Sequence, residues 1–215
     1  MATRVLIVDD HPVVREGLVL RIAHEADLEV CGEAGDVQEA MERVKAAPPD
    51  VAVVDIQLKE GNGLDLVKRI RGRDESVRIL VWSMYPDALY ARRALRAGAL
   101  GYINKQNTTG RLIEAIRRVA EGKIYLCEEL AEQLLSQAIG GTEALGGSPV
   151  DSLSDRELEV FRLIGEGLGT SQIAKRIHLS VHTIDTHRQR IKQKLSLDTG
   201  AELTRAATRW VLENG

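Results

Sequence analysis

The first half of the chain alternates short β-branched apolar runs with longer segments whose apolar residues recur every three or four positions. Short, continuously apolar runs read as strands buried on both faces of a parallel sheet, and the longer segments as the amphipathic helices that join them. Strands are expected at 5–8, 28–31, 51–54, 77–82 and 100–103, and helices at 12–24, 37–46, 64–71, 88–97 and 108–121. Parallel crossovers are almost always right-handed, so five such units specify a small doubly wound α/β sheet with helices on both faces. Helical periodicity then continues through an acidic stretch at 128–139. It breaks at 140–149, where four glycines, a serine and a proline in ten residues read as a linker. From 152 to 215 the pattern is helical throughout, with helix starts at Ser154 (Glu157 three residues on, a capping box), at Thr170 or Ser171, and at Ser180. The division expected is 1–122, a helix and linker at 123–151, and a small all-α domain at 152–215.

At 215 residues the chain can bury a core without disulfides or metals. With 44% hydrophobic and 28% charged residues, disordered, collagenous and rod-like classes are excluded. No run approaches 18 uninterrupted apolar residues, and Asp9 and Asp10 follow the first apolar run directly, so neither a membrane span nor a signal peptide is expected and the location read is cytoplasmic. Cys31 and Cys127 lack metal-ligand spacing and read as reduced packing residues. The net charge of −3 hides an uneven distribution. Between Cys127 and Val150 the charged residues are all acidic: Glu128, Glu129, Glu132 and Glu143. From Thr170 to Leu195 they are Lys175, Arg176, Arg188, Arg190, Lys192 and Lys194 against Asp185 alone, which points to an anionic partner for that segment.

Ligands of doubly wound sheets bind beyond the carboxyl ends of the strands. There the sequence places Asp9 and Asp10 after the first strand, Asp55 after the third, Ser83 at the end of the fourth and Lys105 after the fifth. Three converging carboxylates make sense around a hard divalent cation, and Mg²⁺ fits that donor set. Lys105 and the Ser83 hydroxyl would face the same point, suited to the oxygens of a phosphoryl group. The chemistry expected is in-line attack of the Asp55 carboxylate on phosphorus to give an acyl phosphate, with cation and ammonium neutralising the transferred group.

The runs Val5-Leu-Ile-Val-Asp-Asp-His-Pro-Val-Val-Arg-Glu-Gly-Leu18, Pro49-Asp-Val-Ala-Val-Val-Asp55, Leu80-Val-Trp-Ser83 and Gly98-Ala-Leu-Gly-Tyr-Ile-Asn-Lys105 resemble the receiver domain of two-component response regulators of the NarL/FixJ family. The resemblance implies a flavodoxin-like (βα)5 fold and phosphorylation of Asp55 by the phosphohistidine of a sensor histidine kinase. It also implies that Asp10 ligates Mg²⁺ directly, Asp9 mainly through water, and that the Gln57 backbone carbonyl completes the protein ligands with Asp55. Ser83 would move toward the phosphate and Tyr102 would turn inward behind it. The sequence departs from the family at Lys59, where proline is usual, and at Asn104, where an apolar residue is commoner. Gln57 and Tyr85 occupy positions that border the phosphate and can guide or block an attacking water.

In the tail, the helix from Ser180 sets Ile184, His187, Ile191 and Leu195 on one inward stripe. That leaves Asp185, Thr186, Gln189 and Lys192 for base edges, while Arg188, Arg190, Lys194, Lys175 and Thr183 suit phosphate contacts. With only His178 and Leu179 separating it from the preceding helix, the geometry is a helix-turn-helix. The segment is similar to the LuxR-type DNA-binding domain, including Thr183-Ile-Asp-Thr-His187 and Lys194-Leu195. This implies double-stranded DNA as partner, with a final helix at 201–212 pairing two copies. Asp185 stands where many relatives carry lysine, and would accept from a cytosine amino group or hold Arg188 or Gln189. His187 reads as a packed, hydrogen-bonded residue. The whole reads as a transcription regulator, not an enzyme, that dimerises on phosphorylation. Two rivals are a phosphorylation-independent regulator whose receiver only dimerises, and a Mg²⁺-dependent phosphohydrolase. Against the latter, Gln57 replaces the second aspartate such enzymes use.

Overall fold

The computed structural model describes residues 2–59, 61–85, 87–106, 109–128, 130–132 and 149–214. It divides into two compact units, Met1–Leu134 and Leu135–Gly215. The expected linker lies, up to Ser148, outside the described residues, as does most of the expected acidic helix at 128–139.

In the first unit five strands, β1 (Thr3–Val8), β2 (Leu28–Ala34), β3 (Val51–Val54), β4 (Arg78–Ser83) and β5 (Gly101–Asn104), form one parallel sheet in the order β2-β1-β3-β4-β5. Five helices alternate with them: α1 (Pro12–Ile22), α2 (Val37–Ala46), α3 (Gly63–Arg73), α4 (Asp87–Ala97) and α5 (Thr109–Ala120). Strand pleating sends alternate side chains to opposite faces. Val5, Ile7, Val51, Val53 and Leu80 pack with Leu18 and Ile22 of α1 and Leu112, Ile113, Ile116 and Val119 of α5. Local chemistry sets the helix ends: Asp36 caps α2 through the Glu39 N–H, and Asn62 caps α3 through the Leu64 N–H.

The clearest departure from the sequence pattern is β2, which runs three residues past Cys31. Gly32 and Glu33 break the apolar run, yet their backbones keep pairing with β1 through Val8↔Ala34, with a register shift between Val5 and Leu6. An edge strand is held by ladder hydrogen bonds, which side-chain periodicity does not report. The described part of α1 also ends two residues earlier than expected, at Ile22.

The second unit is all helical where described: a 3₁₀ turn at Pro149–Ser152, then α6 (Asp155–Gly165), α7 (Thr170–Arg176), α8 (Val181–Lys194) and α9 (Gly200–Asn214). The Ser154–Glu157 capping box opens α6 as expected. α7 ends with His178 at φ 53° while the Leu179 N–H closes back on the Ala174 carbonyl, a Schellman turn. Ser180 then caps α8 by accepting from the Thr183 N–H at 3.0 Å, so the tight reversal is built from two local end signals. Gly165 permits the close crossing of α6 and α9: a Cβ there would lie 2.4 Å from the Ala207 carbonyl oxygen.

Candidate functional site

The strand order reverses direction between β1 and β3, the crevice where doubly wound sheets bind ligands. Asp9 follows β1 and Asp55 follows β3 there, 1% and 4% exposed. The turn after Asp55 is held by Gly63, whose N–H donates to the Ile56 carbonyl at 2.8 Å. A Cβ on Gly63 would fall 1.9 Å from the Asp55 carbonyl oxygen, so only glycine allows this backbone approach. Lys105, arriving from β5, donates to Asp9 Oδ2 at 2.5 Å and to Asp55 Oδ2 at 2.6 Å. Ser83 is buried and lines the same cavity as Asp55, whose charged form its hydroxyl favours. The structure thus brings Asp9, Asp10, Asp55, Ser83 and Lys105 to one point, with Gln57 beside them.

Burial pushes the Asp55 carboxyl up from its ordinary value, and Lys105 and the Ser83 hydrogen bond pull against it while Asp9 adds to the rise. Burial works against the Lys105 ammonium, but Asp55 and Asp9 outweigh it and hold the group charged. Asp9, Asp10, His11 and Asp55 each offer a ligand atom within 4.8 Å of the others. Asp10 Oδ1 is buried without a hydrogen-bond donor; His11 Nδ1 lies 2.8 Å away but off the hydrogen-bonding direction. An orphaned carboxylate oxygen in an oxygen-rich cluster is the donor chemistry a hard cation takes. The Gln57 N–H sits 3.4 Å from Asp55 Oδ1, and its Oε1 accepts from the Tyr85 hydroxyl at 3.4 Å. A cavity of about 180 Å³ opens here, lined by His11, Gln57, Met84 and Tyr85 together with Asp55, Ser83 and Lys105. Tyr102 is buried with its hydroxyl donating to the Tyr85 carbonyl at 2.7 Å. The cluster signal missed His11, and strand-end reasoning missed the Tyr85 carbonyl, a backbone group that no side-chain pattern marks.

In the second unit Ile184 and Ile191 of α8 are fully buried, while Asp185, Gln189 and Arg190 are exposed and Thr183, Thr186, Arg188 and Lys192 half-buried. Lys175 is exposed on α7. His182 and Gln193 share the exposed stripe of Asp185 and Gln189 at three- and four-residue spacing, and neither was among the residues expected to face DNA. Among the described residues no hydrogen bond or ion pair engages the side chains of Asp185, Arg188, Gln189 or Arg190, so Asp185 holds neither Arg188 nor Gln189. Lys194 is placed apart from them: its ammonium donates to buried Glu157 at 2.7 Å and to the Ser152 carbonyl at 3.1 Å. His187 is packed, but its buried Nδ1 has no hydrogen-bond partner, which corrects the expectation of a hydrogen-bonded ring; desolvation holds its pKa below the ordinary value.

Comparison with known proteins agrees with both units. Residues 5–117 match the response regulator receiver domain, and residues 151–207 match the luxR family of bacterial regulatory proteins. The chain belongs to the NarL/FixJ family of response regulators. The regulator is 37% identical over 205 residues to the DNA-binding transcriptional activator DevR/DosR of Mycobacterium tuberculosis, covering 95% of this chain and 94% of that one. It is 35% identical over 208 residues to the oxygen regulatory protein NreC of Staphylococcus carnosus, covering 95% and 96%. Among solved structures, RcsB of Salmonella enterica serovar Typhimurium, bound to promoter rprA with the phosphomimetic BeF3−, matches with TM-score 0.64 at 25% identity, over 97% of this chain and 99% of that one. A LuxR-family two-component response regulator from Aurantimonas sp. SI85-9A1 matches with TM-score 0.60 at 31% identity, over 65% of this chain and 99% of that one. The regulator therefore pairs a receiver with a LuxR-type DNA-binding domain, a two-component transcription regulator. Among the described residues no helix is long and apolar enough to cross a membrane.

Proposed function

We propose that Asp55 accepts a phosphoryl group from the phosphohistidine of a sensor histidine kinase, and that the acyl phosphate favours a homodimer whose two tail domains, each spanning 152–215, bind a two-fold symmetric duplex DNA site. The observation that carries this reading is the Asp9–Lys105–Asp55 bridge, with Ser83 buried beside the same carboxylate. An Asp55 oxygen attacks phosphorus, the O–P bond forms, and the N–P bond to the kinase imidazole breaks. Lys105, already bonded to the acceptor carboxylate, and the Ser83 hydroxyl beside it are placed to meet charge on the phosphoryl oxygens. Asp9, Asp10 and Asp55, with the Gln57 carbonyl, would hold Mg²⁺, which when bound neutralises phosphoryl charge. In the tail, Asp185, Thr186, Gln189 and Lys192 would face base edges, with Lys175, Thr183, Arg188 and Arg190 toward phosphates. The RcsB relative, seen on promoter DNA with a phosphomimetic, supports this order of events.

A second reading, in which the receiver dimerises without phosphate, is favoured by one observation: Tyr102 is already inward, buried with its hydroxyl on the Tyr85 carbonyl. Light scattering and DNA binding with and without acetyl phosphate plus Mg²⁺ separate the two. A donor-dependent shift to dimer with tighter DNA binding, absent in Asp55→Asn, is expected. Equal mass and affinity in both conditions would discard phosphate control in favour of the second reading.

A further inference from the structure

Asn104, the last residue of β5, is polar where the family favours an apolar side chain, and its contacts show what that polarity does. Its Nδ2 donates to the Tyr85 carbonyl at 2.9 Å, the same oxygen that accepts from the Tyr102 hydroxyl at 2.7 Å. A carbonyl oxygen has two lone pairs and takes both donors. The amide orientation is set from its other end, because Asn104 Oδ1 accepts from the Gln106 N–H at 2.8 Å. Tyr85 is anchored at three further points. Its ring stacks on Tyr90 with centroids 4.5 Å apart, its hydroxyl reaches Gln57, and its body, 6% exposed, lines the cavity into which Asp55 opens.

We propose that Asn104 is a positioning residue: with Tyr102 it fastens Tyr85 as a lid beside Asp55, shielding the acyl phosphate from water and prolonging the phosphorylated state. This rests on Asp55 being the phosphoacceptor. The step slowed is hydrolysis, in which a water oxygen bonds to phosphorus, the P–O bond to Asp55 breaks, the carboxylate is regenerated, and inorganic phosphate leaves with the water's hydrogens. If hydrolysis proceeds from the lid-open form, its rate follows the open fraction. Losing the Asn104 donor to the Tyr85 carbonyl raises that fraction about five-fold, the effect of one net hydrogen bond. Among the described residues Tyr102 supplies the other donor to this carbonyl, so Tyr102→Phe combined with the Asn104 replacement should speed release further than either change alone.

Two replacements separate the latch from the rest of the side chain. Asn104→Asp keeps the acceptor for the Gln106 N–H and turns the donor into a carboxylate oxygen that repels the Tyr85 carbonyl; Asn104→Leu removes donor and acceptor together. The full-length chain is loaded with acetyl phosphate and Mg²⁺, the donor is removed, and loss of phosphoprotein is followed over time. Emission of Trp82, in a Trp210→Phe background, reports the site itself, because the Lys105 ammonium lies 5.2 Å from the Trp82 ring centroid. Expected is release about five-fold faster in Asn104→Leu and at least that in Asn104→Asp, with phosphate uptake and resting Trp82 emission as in the parent. Wild-type release in Asn104→Asp, with only Asn104→Leu faster, would trace the effect to the Gln106 contact and overturn the latch. Changed resting emission would mean general damage to the site and overturn it equally. A parent protein that takes up no phosphate would overturn the phosphoacceptor reading beneath it, whereas normal uptake with unchanged release in both variants overturns the latch alone.

Discussion

Replacing Lys194 by methionine keeps the aliphatic stem and removes the ammonium that pairs with Glu157 across α8 and α6. The Glu157 side chain is 4% exposed and that of Lys194 39%, so the pair sits between a surface ion pair and a buried one. Exposed pairs contribute at most about 1 kcal/mol, and breaking a buried pair from one side costs about 3–5 kcal/mol, which puts this loss at about 2 kcal/mol. For a unit the size of the tail that is a drop in Tm of roughly 8–16 °C. Trp210 packs with its ring tilted against Phe161, centroids 5.9 Å apart, and reports unfolding of this unit when Trp82 is replaced by phenylalanine in the full-length chain. Adding Glu157→Gln to Lys194→Met should recover part of the loss, because no unpaired charge remains while the Ser154 N–H keeps an acceptor. DNA affinity, measured where both proteins are folded, should keep its salt dependence. An unchanged Tm together with a salt slope reduced by about one would refute the internal pair and assign Lys194 to a DNA phosphate instead.

Three further outcomes are expected. Gly63→Ala drives a Cβ into the Asp55 carbonyl, and should cost the receiver about 2 kcal/mol or more in chemical denaturation and abolish phosphate uptake; wild-type stability would contradict the close approach. Burial holds the His187 pKa below 6.5, so the folded ring stays neutral while the unfolded ring takes a proton. Stability of the tail should therefore fall as pH drops below about 6.5, above the range where Glu157 titrates, and His187→Gln should flatten the Tm profile between pH 7.5 and 5.5. Lys105→Met removes the ammonium bridging Asp9 and Asp55, and should tighten Mg²⁺ binding about ten-fold while slowing phosphate uptake, both followed by Trp82 emission; unchanged Mg²⁺ affinity would show that Lys105 does not compete for those oxygens.

The strand ends that carry Asp9, Asp55 and Ser83 were legible because a buried parallel strand must be a continuous apolar run, so the first polar residue after each run marks its carboxyl end, and Lys105 follows one residue beyond the first polar residue of the fifth. The capping box at Ser154 and the inward stripe of Ile184 and Ile191 were legible for the same kind of reason, since each is a relation between residues three to seven apart. β2 beyond Cys31 was not, because its pairing with β1 is made by backbone groups that every residue carries. The fate of Lys194 was not either: on the helix it is one more cation, and only α6 packing alongside brings a buried carboxylate within 2.7 Å. His187 looked hydrogen-bonded because buried polar groups usually are, and the orphaned Nδ1 appears only once its neighbours are in place.

Local order, the α/β alternation and the chemistry at each strand end are thus written in near-neighbour patterns along the chain. The convergence of Lys105 on two carboxylates 96 and 50 residues away is a matter of strand order. So is the meeting of Tyr102 and Asn104 of β5 on the Tyr85 carbonyl beyond β4. These contacts were decided by tertiary packing, because hydrogen bonds and ion pairs act over a few ångströms of space and carry no trace of their sequence separation.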